Sequence, residues 1–193
     1  MASRGLAPHK KKARRRGASI VFLDETGFLL QPLNRRTWAP RGVTPQQRSW
    51  DRRDRLSVIA VVTLSPTRTR VRACFDVQRE NIRAQHVIDF LRRLRRKIRR
   101  PLIVVWDRWN VHRCAARHIA ARWKHIEFEP LPAYAPELNP VEAMWSHAKY
   151  ADLANYVADD ADDLAATVHD SLHDQSRNHQ LQRSYFKTAQ LKL

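Results

Sequence analysis

Residues 101–145 constrain the fold more than any other part of the chain. They open with Pro101 and an apolar, β-branched run, Leu102–Trp106, of the kind that forms a strand covered on both faces. This strand delivers a carboxylate, Asp107, at its C-terminal end. Helical composition over 114–124, a second strand-like run over 126–131 and a proline-punctuated loop over 132–140 follow. Asn139 and Pro140 then read as the N-cap and first position of a new helix, which sets Glu142 in its first turn.

A third acid comes earlier. Residues 20–23 read as another buried strand, ending at Asp24. Its neighbour Glu25 competes for the same role, but adjacent strand residues point to opposite faces, so the two acids do not serve one ion. Asp24, Asp107 and Glu142 on two strand tips and a helix start can converge, and oxygen ligands with nothing soft among them suit Mg²⁺. Two such ions, about 3.5–4 Å apart, activate water and stabilise the leaving oxygen at a phosphodiester. Plainer roles exist for each residue. Asp24 can be an ordinary strand-end acid. Glu142 can complete a capping box with Asn139, which leaves Glu137 in the loop as the third acid. Asp107, an ionised group after a wholly apolar strand, needs a partner. His112 can orient a ligand, touch a phosphate, or merely pack; Asn110 can bond the backbone in a turn.

The rest of the chain fits an α/β reading. Residues 35–46 look hairpin-like around a Pro-Arg-Gly turn, and 56–64 and 71–75 read as strands of an antiparallel meander. Asn81 can cap a helix whose Val87, Phe90, Leu91, Leu94 and Ile98 keep helical spacing, with arginines on its other face. A helix over 160–172, acidic in its first turn, should pack on the domain. Three meandering strands followed by alternating helices and strands give the order of an RNase H-like α/β fold, a mixed sheet of about five strands flanked by helices.

Charge narrows the partner. The net charge is +17, and it is uneven. Residues 1–16 and 92–100 each carry seven positive charges and no acid, and 35–55 carries seven against Asp51 and Asp54. The end of the chain, 151–193, has four positives and seven acids. Three basic clusters beside an acidic end fit a polyanion, most simply nucleic acid. Arg35, Arg36, Arg41, Arg52 and Arg53 are candidates for its backbone, and Trp109 for a base. Cys74 and Cys114 have no metal-ligand spacing and argue against a disulfide framework. No apolar run is long enough to span a membrane.

The strings FLDETGF, VVWDRWNVHR and LPAYAPELNPVEAMW resemble the DDE transposases of bacterial insertion sequences, of the mariner superfamily. The resemblance rests on three motifs in order and on the thirty-four residues between Asp107 and Glu142. It implies that Asp24, Asp107 and Glu142 hold Mg²⁺, with Mn²⁺ as substitute, and that His112 is the histidine five residues after the second acid. Arg108 and Trp109 depart from the Asn-Ala of many relatives. It further implies cleavage of transposon ends and strand transfer into target DNA, a homo-oligomer on DNA, and a bacterial cytoplasmic, nucleoid-associated location. Relatives carry helix-turn-helix modules ahead of the catalytic domain, which a separate N-terminal half would supply. The expected division is a disordered basic arm (1–17), a catalytic domain (18–150) and a helical tail (151–193). An RNase H-like nuclease or resolvase without strand joining, or a catalytically dead basic DNA-binding remnant, are the rival readings.

Overall fold

The two apolar runs that lead to Asp24 and Asp107 lie side by side at the centre of a five-stranded sheet. The computed structural model describes residues 7–47, 54–132, 135–191 and 193. Its strands are β1 (Ser19–Leu29), β2 (Arg55–Leu64), β3 (Val71–Gln78), β4 (Leu102–Trp106) and β5 (Ile126–Pro130), in the order β3-β2-β1-β4-β5. The first three pair antiparallel as a meander, whereas β1–β4 and β4–β5 are parallel. This is the mixed five-stranded sheet that the order of elements predicts.

Helices cover both faces, which is why the central strands are apolar without interruption. On one face, α2 (Ala84–Ile98) and α3 (Asn110–Ala120) pack Val87, Leu91, Leu94 and Ile119 against Val21, Leu23, Val61 and Val104. On the other, α4 (Pro140–His147), α5 (Ala161–Arg177) and α6 (His179–Thr188) bring Met144, Val168, Leu172 and Phe186 onto Ile20, Phe22, Val62 and Val105. Phe22 meets Phe186 edge to face at 5.8 Å. Fully burying a side chain such as Leu91 or Phe186 contributes roughly 1.5–3 kcal/mol. Residues 20 and 22 belong to the α4 face, residues 21 and 23 to the α2 face. The alternation carries on into the site.

Several local readings differ from the sequence expectation. β1 does not end at Asp24 but runs to Leu29, because β2 pairs with it as far as Leu29↔Arg55. Residues 34–47 form no hairpin; apart from one turn, closed by Val43 N–H to the Pro40 carbonyl at 3.0 Å, they follow an irregular path. Asn81 does not cap α2. The N-cap is Arg83, whose amide donates to His86 Nδ1 at 3.1 Å, and the Asn81 side chain accepts from Arg55 instead. α3 starts at Asn110, four residues before the expected helix.

The basic arm was expected to be without structure, yet α1 (Ala7–Arg16) is helical. Lys12 pairs with Glu127 and with Glu129 (3.0 Å), and Arg16 pairs with Glu127, all on β5. Among the described side chains, Ala13 of α1 and Ala18 just after it are buried. Gly17, with φ of 61°, ends the helix in the left-handed conformation, and the Ala18 amide closes back on the Ala13 carbonyl at 2.9 Å. A helix this polar forms because β5 offers its cations carboxylates.

Candidate active site

The site begins where the pairing of β1 changes. Parallel pairing with β4 is present through Phe22↔Val105, while antiparallel pairing with β2 continues through Asp24↔Ala60 and beyond. From Asp24 onward β1 therefore has one open edge. Extending the parallel register by two positions sets Asp24 level with Asp107 along the strand direction. Asp107 is the first residue past β4.

Asp24 and Glu25 point to opposite faces, as the pleat requires. The Asp24 carboxylate accepts from Trp145 Nε1 of α4 at 3.2 Å. Burial, then the charge of Glu142, then that of Glu25 push its pKa up to about 7. Glu142 stands in the first turn of α4 and is raised by its protein surroundings, with Lys149 pulling the other way. Lys149 lies seven residues on, in the π-helical turn Ala148–Asp152 that continues α4. Its ammonium donates to Thr26 Oγ1 at 2.5 Å and sits 5.3 Å from the centre of the Phe28 ring. Burial lowers its pKa, against the charges of Glu142 and Asp24. Asp24, Glu142 and Lys149 thus form one electrostatic unit on the α4 side.

Glu25 faces α3 and meets His112, which is only 1% exposed. His112 Nε2 lies 3.0 Å from both Glu25 oxygens, and its Nδ1 lies 2.6 Å from Asp107 Oδ1. Burial opposes charge on this imidazole, but the hydrogen bond and charge of Glu25, then Asp107, outweigh it and raise its pKa. Its ring stacks on Trp106 at 4.6 Å, and Trp106 stacks on Phe128 at 4.6 Å. The stack fixes the imidazole plane. Asp107 Oδ1 also accepts from the Trp109 amide at 2.8 Å, an Asx turn that starts α3. Its side chain is 59% exposed, and its other oxygen makes no hydrogen bond among the described residues.

The three acids approach one region without forming a closed cage. Among the described residues, no three His, Cys, Asp or Glu side chains stand close enough to hold a metal together. The donor set still fits a hard cation. All three donors are carboxylates, and burial together with the charge of Glu142 pushes the Asp24 pKa up to about 7.

The remaining candidates are scattered. Asn110 is exposed in the first turn of α3, and its side-chain oxygen accepts from Arg113 at 3.1 Å rather than from the backbone. Arg35 is tied to the Tyr150 carbonyl at 2.6 Å and lies 5.5 Å over the Tyr150 ring. With Arg36 it lines a cleft beside Ser146 and Tyr150. Arg41 is exposed on the irregular segment, while Arg52 and Arg53 lie outside the described residues. Trp109 is 41% exposed and meets His112 edge to face, with ring centres 5.6 Å apart. Of the tryptophans whose sequence context reads as core, Trp106 and Trp145 are buried, whereas Trp123 is half-buried beside Arg92 and Arg95.

A family model described as DDE superfamily endonuclease matches residues 19–165, most of the chain and all three acids. The chain belongs to the DDE superfamily endonucleases. Among curated proteins no sequence match is found. Solved structures agree on the fold. The Mos1 mariner paired-end complex with Mn matches with TM-score 0.65 at 19% identity, over 95% of this chain and 56% of that one. The paired-end complex with Mg gives 0.64 at 19%, over 96% and 56%, and the Mos1 strand transfer complex 0.59 at 18%, over 96% and 57%. This DDE domain therefore has the RNase H-like arrangement and spans little more than half the length of the transposases it matches.

Two features of the site are missing from the sequence reading, Lys149 and the role of Glu25, which reads there only as a rival to Asp24. Lys149 had a usable signal, a cation on the helix that carries Glu142. Glu25 had none, since its partner His112 is brought in by α3 from eighty-seven residues away.

Proposed function

We propose that the chain is the catalytic unit of a transposase, cutting transposon-end DNA and joining the freed 3′ end to target DNA. One observation carries the reading: in a DDE endonuclease domain, the desolvated Asp24 and Glu142 share one electrostatic site, level with Asp107 across the open edge of β1. Asp24, Asp107 and Glu142 would hold divalent cation, Mg²⁺ with Mn²⁺ as substitute. When bound, such an ion polarises the scissile phosphate and lowers the pKa of water.

The chain's own residues do the positioning. Glu25 and His112 hold Asp107 in one orientation, and Lys149 balances the charge of Asp24 and Glu142 close to where an anionic phosphate must enter. Residues 18–150 carry this machinery, 1–17 form a basic arm and 151–193 a supporting tail. The partners would be transposon ends and target DNA, a second copy of the chain, and a separate helix-turn-helix half. Among the described residues no helix is long and apolar enough to cross a membrane. The proposed setting is the bacterial cytoplasm, at the nucleoid.

The test is a cleavage and strand-transfer assay on paired element ends with Mg²⁺ or Mn²⁺, run for the parent chain and for Asp24→Asn, Asp107→Asn and Glu142→Gln. Cutting and joining by the parent alone is the expected result. Cutting without joining would leave a nuclease or resolvase. DNA binding without any cutting would leave an inactive remnant.

A further inference from the structure

At the end of α2 remote from the carboxylates, the chain builds a basic cleft that the catalytic reading does not use. Arg92, Arg95, Arg96, Arg99 and Arg100 line it with Trp123 and His125, around a volume of about 880 Å³. No carboxylate is among its lining residues. Arg92 is paired with Asp89, but among the described residues Arg95, Arg96, Arg99 and Arg100 make no ion pair. Trp123 packs against two of the arginines, with the Arg92 and Arg95 guanidinium carbons 5.9 and 5.6 Å from its ring centre. Such contacts hold long side chains in place, so less rotamer freedom is lost when they bind a partner. Arg99 closes α2 in the left-handed region, with φ of 53°, a place where glycine is the usual residue.

We propose that this cleft is a second DNA-docking surface, which grips the phosphate backbone outside the reaction site. The arginines recur along the helix from 92 to 99, a stripe roughly 10 Å long at 1.5 Å per residue. That is a line of charge, about three base-pair rises long at 3.4 Å of duplex axis each. Through Arg100 it continues into a neighbouring cleft with Lys97, Arg70 and Arg72 and the hydroxyls of Thr67 and Thr69, all donors suited to phosphate oxygens. A membrane surface fits worse, because none of the large exposed apolar side chains lies in this cleft. An acidic peptide is the other polyanion such a cleft could take, and polyglutamate stands for it in the test below.

Pro101 in the cleft lies six residues before Asp107, at the opposite end of β4. Six residues of strand span roughly 20 Å, about six base-pair rises. DNA held here is gripped away from any phosphodiester at the acids.

The experiment compares the full chain with an Arg95→Gln, Arg96→Gln, Arg99→Gln, Arg100→Gln variant by fluorescence anisotropy. The probe is a labelled duplex of about twenty base pairs of arbitrary sequence, titrated at several KCl concentrations. Each lost phosphate contact should flatten the plot of log affinity against log salt by about 0.9, so the expected loss is roughly two to four in slope. Affinity should fall tenfold or more while circular dichroism and Tm stay at parental values. The titration is run in EDTA without divalent cation, so this outcome is independent of whether the chain cuts DNA. Parental affinity and slope in the quadruple variant would overturn the proposal, as would unchanged DNA binding with lost binding to polyglutamate. If the variant does not fold, phenylglyoxal modification of the parent decides: duplex protects Arg95, Arg96, Arg99 and Arg100, and equal modification with and without duplex overturns it.

Discussion

Burial and the charges of Glu142 and Glu25 hold the Asp24 carboxyl at about 7, against 3.8 for an ordinary aspartate. The folded chain therefore binds more protons than the unfolded chain between about pH 4 and 7. Stability falls as pH rises through that window, and the cost of ionising Asp24 is complete above it. At roughly 1.4 kcal/mol per pKa unit its ceiling is about 4 kcal/mol. Asp24→Asn keeps an acceptor for Trp145 and removes that cost. In metal-free buffer its Tm should exceed the parent's at pH 8, and the difference should vanish near pH 4. A parent more stable than Asp24→Asn at pH 8 would mean that the carboxylate already has its counter-charge.

Glu25 calls for a different pair of substitutions. Gln at 25 can still bond His112 Nε2, with the imidazole neutral and its Nδ1–H kept on Asp107. Glu25→Gln should keep most of the parent's cleavage, in line with a residue that faces away from Asp24. Glu25→Leu strands a buried nitrogen, a penalty of about 1–3 kcal/mol. It should also weaken Mn²⁺ binding, read by titration, by about 10–100-fold, the usual effect of losing a group that orients a ligand. Equal metal affinity in parent and Glu25→Leu would reduce Glu25 to packing.

At the scale of elements, α4 shows what a sequence can reveal. Asn139 caps it through a bond from the Val141 amide to its side chain at 3.2 Å. The Asn139 amide donates to the Pro136 carbonyl at 2.8 Å, so Glu142 is not drawn back into a capping box. Glu142→Gln should therefore leave Tm near the parent value and abolish cleavage with either Mg²⁺ or Mn²⁺. Asn139→Ala should cost about 0.5–2 kcal/mol in denaturant unfolding. Glu137, exposed in the 3₁₀ turn Pro136–Leu138, should tolerate Gln with activity intact.

Cap chemistry is local, which is why Asn139, Pro140 and Glu142 were legible, and so were the wholly apolar β4 and the end of it at Asp107. The extension of β1 through Asp24 was not, because residues 24–29 become strand only when β2 supplies their partners. The same limit hid the stack of His112 on Trp106 and Phe128, three residues from three separate elements. The helix of the basic arm was invisible for a related reason. Its own composition opposes order, and the acids that hold it belong to the last strand of the sheet.

At the scale of the whole molecule, a net charge of +17 overstates how many cations are available to DNA. Lys12 and Arg16 are engaged by Glu127 and Glu129, Arg93 by Asp76 and Arg79 by Asp162. The hydrogen bond to Glu127, then that to Glu129, raises the pKa of Lys12, and the bond from Lys12 lowers that of Glu127. Such part-exposed pairs contribute little to stability, but a cation that already faces a carboxylate releases few counterions when phosphate arrives. Affinity for duplex DNA should still fall steeply with salt and depend little on sequence, because Arg95, Arg96, Arg99 and Arg100 make no ion pair among the described residues. Replacing Lys12 and Arg16 together by Gln should then change the salt slope by much less than the 1.8 expected of two phosphate contacts at about 0.9 each. The same change should loosen α1 from β5, seen as faster amide exchange over residues 7–16 with the sheet unaffected. A slope flattened by the full amount, with α1 still protected, would show that the arm gives up its acids for DNA and belongs to the binding surface.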